Sequence, residues 1–158
     1  MTAYTMTVAA FDTVEDAQSC EAEARIVMQG LRAYNIAQTE DTHYTLLRLF
    51  LRDATGKVVG GLLGEISWGW LHISTLWLAK DLRKGGYGTR LMAAAETEAI
   101  SRGCHSAFLD TFSFQARPFY ERLGYEVFGR LDAYPPGHCR YFLRKRLAQQ
   151  EPKDSSHH

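Results

Sequence analysis

The sequence has few of the features that mark several large classes of protein. Its three cysteines are odd in number, lie far apart and form no C-x-x-C pair, so neither a disulfide framework nor a zinc site is indicated. Basic and acidic residues number 18 each and no basic block occurs, which gives no support for binding to nucleic acid or to a membrane surface. No apolar run is long enough to span a membrane, and no basic-then-apolar signal pattern opens the chain. We therefore expect a cytoplasmic protein in a reducing environment.

The 158 residues are enough for one domain with a proper core. The composition is typical of a globular protein, with 46% hydrophobic and 23% charged residues. We expect this domain to cover residues 1–148. Residues 149–158 are polar and end in His157 and His158, which indicates a disordered tail or the remnant of an expression tag rather than a metal site.

One stretch of the chain combines a strand, a glycine-rich loop and a helix. Residues 70–79 are apolar and rich in β-formers, and Arg83–Gly88 (RKGGYG) follows. From Thr89 onwards apolar residues recur at three- and four-residue spacing, and Gly103 stands where a helix ends. A glycine loop before a helix leaves backbone N–H groups unpaired, and the helix dipole adds positive charge there. This stretch predicts an anion site suited to phosphates.

The spacing of the loop excludes two common phosphate-binding patterns. No Lys-Ser/Thr pair closes the loop as a Walker motif requires, and Leu91 stands where the dinucleotide pattern needs its third glycine. The pattern R-x-x-G-x-G remains, and a plain glycine turn is the alternative. With this motif the chain resembles the GNAT superfamily of acetyl-CoA-dependent N-acetyltransferases. The resemblance implies that the coenzyme A pyrophosphate binds the backbone amides and charges of Arg83, Lys84, Gly85, Gly86, Tyr87, Gly88 and Thr89. It also implies that the pantetheine arm pairs with the strand backbone at Leu76, Trp77 and Leu78.

A second motif of the same family follows a predicted strand at Ser106–Phe112. The family pattern A-x-x-x-Y-x-x-x-G-[FY] is matched by Ala116, Tyr120, Gly124 and Tyr125. Tyr120 matches the family's general acid, whose hydroxyl reaches the sulfur of coenzyme A, while a core tyrosine is the alternative. Ser113 stands where the family often has a cofactor-binding Asn, which is a departure from the pattern. The resemblance implies an α/β fold, a single domain with a mixed, mostly antiparallel sheet flanked by helices.

The base that takes a proton from the amine has two candidates. Strand periodicity places His72 on one face of its strand, where the resembled family often has a Glu or His base, and an imidazole can accept a proton at physiological pH. Glu65 is the rival, because a carboxylate is unexpected in the apolar strand GGLLGEIS. A structural histidine and a solvated carboxylate are the alternatives. The residues that this periodicity predicts on one face are Trp70, His72, Ser74, Leu76 and Leu78.

The rest of the chain predicts one further helix and several strands. Asp12 and Glu15 resemble a capping box for a helix over Val14–Tyr34, and residues 35–43 form a polar connection. A turn at residues 53–57 predicts a hairpin. The predicted strands are Tyr4–Phe11, Tyr44–Arg52, Val58–Ser67, Tyr125–Arg130 and Cys139–Leu147.

The acceptor is predicted from scattered side chains. Tyr134, Asp132 and His138 surround a rigid Pro-Pro-Gly turn. This set predicts an acidic, aromatic pocket for a cation together with four further carboxylates, Glu40, Asp41, Glu65 and Asp110. The alternative is that the turn simply shapes a surface loop. We expect direct transfer from acetyl-CoA to a small-molecule amine, an aminoglycoside antibiotic and hence resistance being one concrete case. A peptide or protein N-acetyltransferase is the alternative, and a non-catalytic acyl-CoA sensor is the second. The oligomeric state is open, a homodimer included.

Overall fold

The computed structural model describes residues 3–9 and 12–147. The chain divides into two compact units, residues 1–42 and residues 43–158, and each is described by itself. No helix in the described part of the chain is long and apolar enough to cross a membrane. The predicted tail at residues 149–158 lies outside the described residues.

The first unit contains one long helix, α1, Val14–Thr39. Its N-cap is Thr13, whose hydroxyl accepts a hydrogen bond of 3.0 Å from the backbone N–H of Asp16. The capping pair is therefore one residue further along the chain than the predicted pair of Asp12 and Glu15.

Two predictions for this unit are wrong. The helix continues through residues 35–39 instead of ending at Tyr34, because Asn-Ile-Ala-Gln-Thr contains neither Gly nor Pro to stop it. It ends at Glu40, which takes a left-handed conformation with φ of 56°. The strand predicted at Tyr4–Phe11 does not form over residues 4–9, while residues 10 and 11 lie outside the described part.

The second unit is a six-stranded sheet with helices, in the order β1-β2-β3-β4-β6-β5. The neighbouring strands are antiparallel except for β3 and β4, which are parallel. The predicted α/β architecture with a mixed, mostly antiparallel sheet is confirmed. The strands are β1 Tyr44–Arg52, β2 Val58–Ser67, β3 Trp70–Leu78, β4 Ser106–Phe112, β5 Glu126–Asp132 and β6 Cys139–Arg146; a 3-10 turn spans Lys80–Leu82, and the helices are α2 Tyr87–Ser101 and α3 Arg117–Arg122.

The hydrophobic core lies between α2 and one face of the sheet, which we call the helix face. α2 presents apolar side chains at helical spacing, Leu91, Met92, Ala95 and Ala99. Burial of a single leucine contributes about 1.5–3 kcal/mol, so this layer accounts for much of the stability of the unit. The most deeply buried sheet side chains of the helix face, each at most 3% exposed, include Leu47, Leu62, Leu71, Ile73, Leu109 and Leu143.

A β-bulge in β3 decides which side chains share a face. Thr75 pairs with Leu63 and Ile73 pairs with Gly64, so Ser74 is the extra residue without a partner on β2. The alternation of side chains between the two faces of β3 therefore shifts by one position at Ser74. Leu76 and Leu78 lie on the helix face, whereas Trp70 and His72 lie on the opposite face, and the prediction that all of them share one face is wrong.

The strands β3 and β4 separate beyond this bulge. Their parallel pairing joins Trp70–Ile73 to Ser106–Leu109 and goes no further. The backbone of residues 74–78 is therefore unpaired on its β4 side, and residues 110–112 are unpaired on their β3 side. We call the opening between these two segments the split.

Candidate active site

A groove of about 430 Å³ lies beside the split, on the helix face of β3. It brings the two predicted cofactor motifs together, although they lie in different parts of the chain. One wall is the end of β3 with the glycine loop, and the other is α3. The residues that line it are Leu76, Leu78, Arg83, Lys84, Gly86, Gly88, Thr89, Ala116, Phe119, Tyr120 and Arg122.

The glycine loop leads directly into the N-terminus of α2. Gly86 is the N-cap, with φ of 80°, and no side chain caps the helix. The helix begins at Tyr87, two residues before the predicted start, so the amides of its first turn carry the positive end of the helix dipole. Lys84 also has a positive φ, 71°, and Arg83 Nε donates to the Leu78 carbonyl oxygen at 3.3 Å. The loop is thus held against the end of β3.

Close packing between α2 and α3 explains the last glycine of the motif. A Cβ atom on Gly88 would lie 3.2 Å from the Phe119 ring. Glycine at this position therefore lets α3 approach the start of α2, which closes the groove from the second side.

Tyr120 lies on α3 at the edge of the core, and its side chain lines the groove. The residue is only 8% exposed. Its ring makes edge contacts with Phe119 and Tyr125, at centroid distances of 5.1 and 6.2 Å. Among the described residues no hydrogen-bond partner of its hydroxyl is found. Burial, and secondarily the negative charge of Asp110, raise the pKa of Tyr120 to about 12, so the phenol keeps its proton at neutral pH.

His72 and Glu65 occupy paired positions on β3 and β2, on the opposite face of the sheet. His72 Nδ1 lies 4.0 Å from Glu65 Oε2, and their side chains are 32% and 41% exposed. The imidazole stacks on the ring of Phe108, with a centroid distance of 4.5 Å and an interplanar angle of 9°. His72 belongs to the last part of β3 that still pairs with β4, so it lies at the start of the split. The two candidate bases therefore reach the split from one face of the sheet, and the groove with Tyr120 reaches it from the helix face.

Asp110 and Tyr134, predicted to bind the acceptor, share one partner. Arg140 Nε donates to Asp110 Oδ2 at 2.7 Å, and its Nη1 donates to the Tyr134 hydroxyl at 3.2 Å. The guanidinium also lies within 5.4 Å of the ring centroids of Phe112, Tyr134 and Phe142. The charge of Asp110 is therefore already balanced by Arg140, whereas the side chain of Glu65 is 41% exposed and has His72 as its neighbour at 4.0 Å.

Ser113 and His138 are brought together away from the groove. Ser113 Oγ lies 3.2 Å from His138 Nδ1 and accepts a hydrogen bond of 3.1 Å from the Cys139 backbone N–H. Ser113 lines a second cavity of about 240 Å³, together with residues from α3 and β6. Its side chain thus ties the β5–β6 loop to the end of β4.

Three more predicted cofactor residues, Trp77, Gly85 and Tyr87, are not among the residues that line the groove. Trp77 is 51% exposed and, by the register at the bulge, lies on the opposite face. Tyr87 packs beside Gly85 and carries the Arg90 guanidinium 5.5 Å from its ring centroid. Sequence reasoning passed over Phe119 and Arg122 as groove residues. The available signal was their spacing, because side chains three residues apart on a helix lie on the same face.

Comparison with known proteins shows similarity to acetyltransferases across most of the chain. The family model described as the acetyltransferase (GNAT) family matches residues 11–125. An acetyltransferase of Agrobacterium fabrum is 34% identical over 134 residues, which are 85% of this chain and 97% of the relative. A blasticidin-S acetyltransferase of Streptomyces morookaense is 41% identical over 93 residues, 58% of this chain and 68% of the relative.

Solved structures agree with the fold. A crystal structure of an acetyltransferase from Agrobacterium tumefaciens has a TM-score of 0.76 at 32% identity, covering 92% of this chain and 99% of that chain. An acetyltransferase from Bacillus cereus has a TM-score of 0.70 at 31% identity, covering 89% and 98%. The resemblance in the two motifs is thereby confirmed. This chain belongs to the GNAT acetyltransferase family and is an acyltransferase that uses acetyl-CoA.

Proposed function

We propose that the protein transfers an acetyl group from acetyl-CoA directly to a primary amine of a small cationic acceptor. The observation that carries this proposal is the placement of Tyr120 and the His72–Glu65 pair on opposite sides of the split. A cofactor arm that enters from the groove and an amine that approaches from the opposite face would meet there.

The residues of the groove fit acetyl-CoA. Arg83, Lys84 and the first-turn amides of α2 supply the positive charge and the donors that a pyrophosphate needs. Apart from the Leu78 carbonyl oxygen, which Arg83 binds, the backbone of residues 74–78 has no strand partner on its β4 side. Its N–H and C=O groups can pair with the amide-bearing pantetheine arm in the manner of an added strand. When bound, acetyl-CoA supplies an activated acyl thioester.

Tyr120 is suited to donate a proton at the thiol end of the groove. Its pKa of about 12 keeps the phenol protonated, and its hydroxyl has no competing partner among the described residues. A positioned acid that protonates the leaving sulfur stabilises charge that develops only in the transition state.

His72 and Glu65 are suited to remove a proton from the incoming ammonium group. Both are partly exposed on the face from which the acceptor would approach. At 4.0 Å they either act together, with Glu65 orienting the imidazole, or one of them accepts the proton alone. In each case the exposed carboxylate also favours a cationic acceptor.

The acceptor class rests on the charge of the site and on one relative. Glu65 provides a negative charge on the acceptor side, whereas Asp110 is paired with Arg140. The relative from Streptomyces morookaense carries the name of an antibiotic, blasticidin S, and matches 58% of this chain. We therefore extend the acceptor class from aminoglycosides to small amine-bearing antibiotics in general, and resistance would follow from their acetylation.

An acceptor panel tests the proposal. The protein is incubated with acetyl-CoA and, separately, blasticidin S, an aminoglycoside, a peptide with a free N-terminus, or no acceptor, and release of free thiol is followed. We expect turnover with at least one small cationic amine and a higher kcat/KM than with the peptide. Glu65→Gln should raise the KM for that amine and leave the KM for acetyl-CoA unchanged. Turnover with the peptide alone would support a peptide N-acetyltransferase instead. Tight acetyl-CoA binding with no turnover across a broad amine panel would support the sensor.

A further inference from the structure

The groove holds three cationic side chains, and they come from two different walls. Arg83 and Lys84 belong to the glycine loop, whereas Arg122 belongs to the last turn of α3. Within residues 3–9 and 12–147, none of the three forms an ion pair with a carboxylate. Five other arginines of the sheet unit do pair with carboxylates, namely Arg102, Arg117, Arg130, Arg140 and Arg144, so the positive charge of the groove residues is not balanced in this way.

The two arginines of α3 lie on different sides of the helix. Arg117 is bound to Glu121 four residues later and lines the second cavity with it. Arg122 lies instead on the groove side, in a row with Ala116 and Phe119 at three-residue spacing. Arg122 is exposed, so its guanidinium is accessible to a ligand at the rim of the groove.

The position of Arg122 along α3 places it near the phosphate end of the groove. The Phe119 ring lies against Gly88 in the first turn of α2. Arg122 is three residues further along the helix, a rise of about 4.5 Å. Arg122 therefore lines the α3 wall beyond the contact of Phe119 with Gly88, while the glycine loop lines the other wall.

Coenzyme A carries two separate phosphate groups, a pyrophosphate and a monoester at the 3′ position of its ribose. The loop and the start of α2 can satisfy the pyrophosphate alone. The monoester carries about −1.5 to −2 charge at neutral pH and three acceptor oxygens, which a planar guanidinium matches well. We propose that Arg122 binds the 3′-phosphate of coenzyme A and lets the groove distinguish coenzyme A from its 3′-dephospho form.

A binding cycle with two ligands and two proteins tests the assignment. Calorimetry gives the Kd of CoA and of 3′-dephospho-CoA for the unmodified protein and for Arg122→Gln. We expect the unmodified protein to bind CoA about tenfold more tightly than 3′-dephospho-CoA, since a hydrogen bond to a charged group is involved. Arg122→Gln should bind CoA about tenfold more weakly and 3′-dephospho-CoA as the unmodified protein does, so that the discrimination disappears. Arg122→Lys should keep part of the discrimination between the two ligands, because lysine retains the positive charge but lacks the planar guanidinium.

Two matched variants complete the cycle. Arg117→Gln removes a charge from the same helix outside the groove and should leave both Kd values unchanged. Lys84→Gln should weaken both ligands by the same factor, because the loop faces the pyrophosphate that they share. The assignment is overturned if Arg122→Gln weakens both ligands equally, or if it weakens neither. The readout is binding alone, so it does not depend on the acceptor.

Discussion

His72 Nδ1 lies 4.0 Å from Glu65 Oε2 across the β2–β3 pair, on the face of the sheet opposite the groove that Tyr120 lines. If His72 takes a proton from the amine, His72→Ala should lower kcat/KM most at neutral pH. The loss should shrink at high pH, where a larger fraction of the amine is already free. The measurement is the pH profile of kcat/KM for the amine, compared with that of Glu65→Gln.

The shape of the two profiles separates the possible roles. A His72→Ala profile that is displaced downward by the same factor at every pH would argue for a structural role of the imidazole. If Glu65→Gln alone shows the pH-dependent loss, Glu65 is the base.

Tyr120→Phe should lower kcat by about 100-fold with little change in KM, because the lost proton donor acts on the departing thiol. The ring and its contacts with Phe119 and Tyr125 remain. The hydroxyl has no partner among the described residues, so the free energy of unfolding at neutral pH should change by about 1 kcal/mol or less. Steady-state kinetics and urea unfolding check the two expectations. Full activity in a stable variant would refute the acid role.

Tyr120 should also make the protein sensitive to alkali. Burial and Asp110 raise its pKa from 10.0 to about 12, so the folded state holds this proton more tightly than the unfolded state. The associated stability is intact below pH 10 and is lost as the pH rises from about 10 to about 12, at up to roughly 1.4 kcal/mol per pH unit. Burial also raises the pKa of Tyr125, which adds to the loss. Urea unfolding at several alkaline pH values should show a smaller decline for Tyr120→Phe than for the unmodified protein. Tyr34→Phe, at an exposed position of α1, is the control, and an equal decline in all three proteins would contradict this account.

Gly86→Val should abolish coenzyme A binding, because a β-branched residue resists the φ of 80° that the loop requires. Among the described residues, no heavy atom beyond the adjoining backbone lies within 4 Å of a Cβ placed on Gly86, so the effect comes from the backbone conformation and not from crowding. Gly56→Val is a close match, with φ of 86°, equally open space and a place in the β1–β2 hairpin. Calorimetry should show lost affinity only for Gly86→Val, although both variants lose some stability. Unchanged affinity in folded Gly86→Val would contradict the loop assignment.

Arg140→Lys should impair the acceptor side of the site and spare the cofactor side. A lysine keeps the charge near Asp110 but cannot also reach the Tyr134 hydroxyl with a planar fork. We expect a severalfold higher KM for the amine and an unchanged Kd for coenzyme A. An unchanged KM would mean that the Tyr134 loop does not take part in acceptor binding.

Much of the fold could be predicted because local patterns define it. The bounds of β1, β2 and β4 agree with the predicted strands to the residue, and a turn at residues 53–57 separates the first two. The glycine loop that leads into α2 was predictable as well, since its glycines and charges are contiguous in the sequence, while its binding of an anion stays a prediction.

Two features of the site could not be predicted because they depend on distant partners. The bulge at Ser74 leaves no local pattern, since Ser74 and Thr75 are both polar and fit either phase of the alternation. The pairing of Asp110 with Arg140 joins residues 30 positions apart, so the sequence alone suggested a free carboxylate. The first error changed the predicted face of Leu76 and Leu78, and the second overestimated the negative charge of the predicted acceptor pocket.

A crystal structure with acetyl-CoA tests the central claim most directly, which is that transfer takes place in the split between Tyr120 and the His72–Glu65 pair. The account predicts the pyrophosphate on the Arg83–Thr89 loop, the thioester between β3 and β4, and the Tyr120 hydroxyl within hydrogen-bonding distance of the sulfur. It also predicts that the acetyl carbon is accessible from the face that carries His72. A thioester outside the split, or one that is closed off from that face, would contradict it.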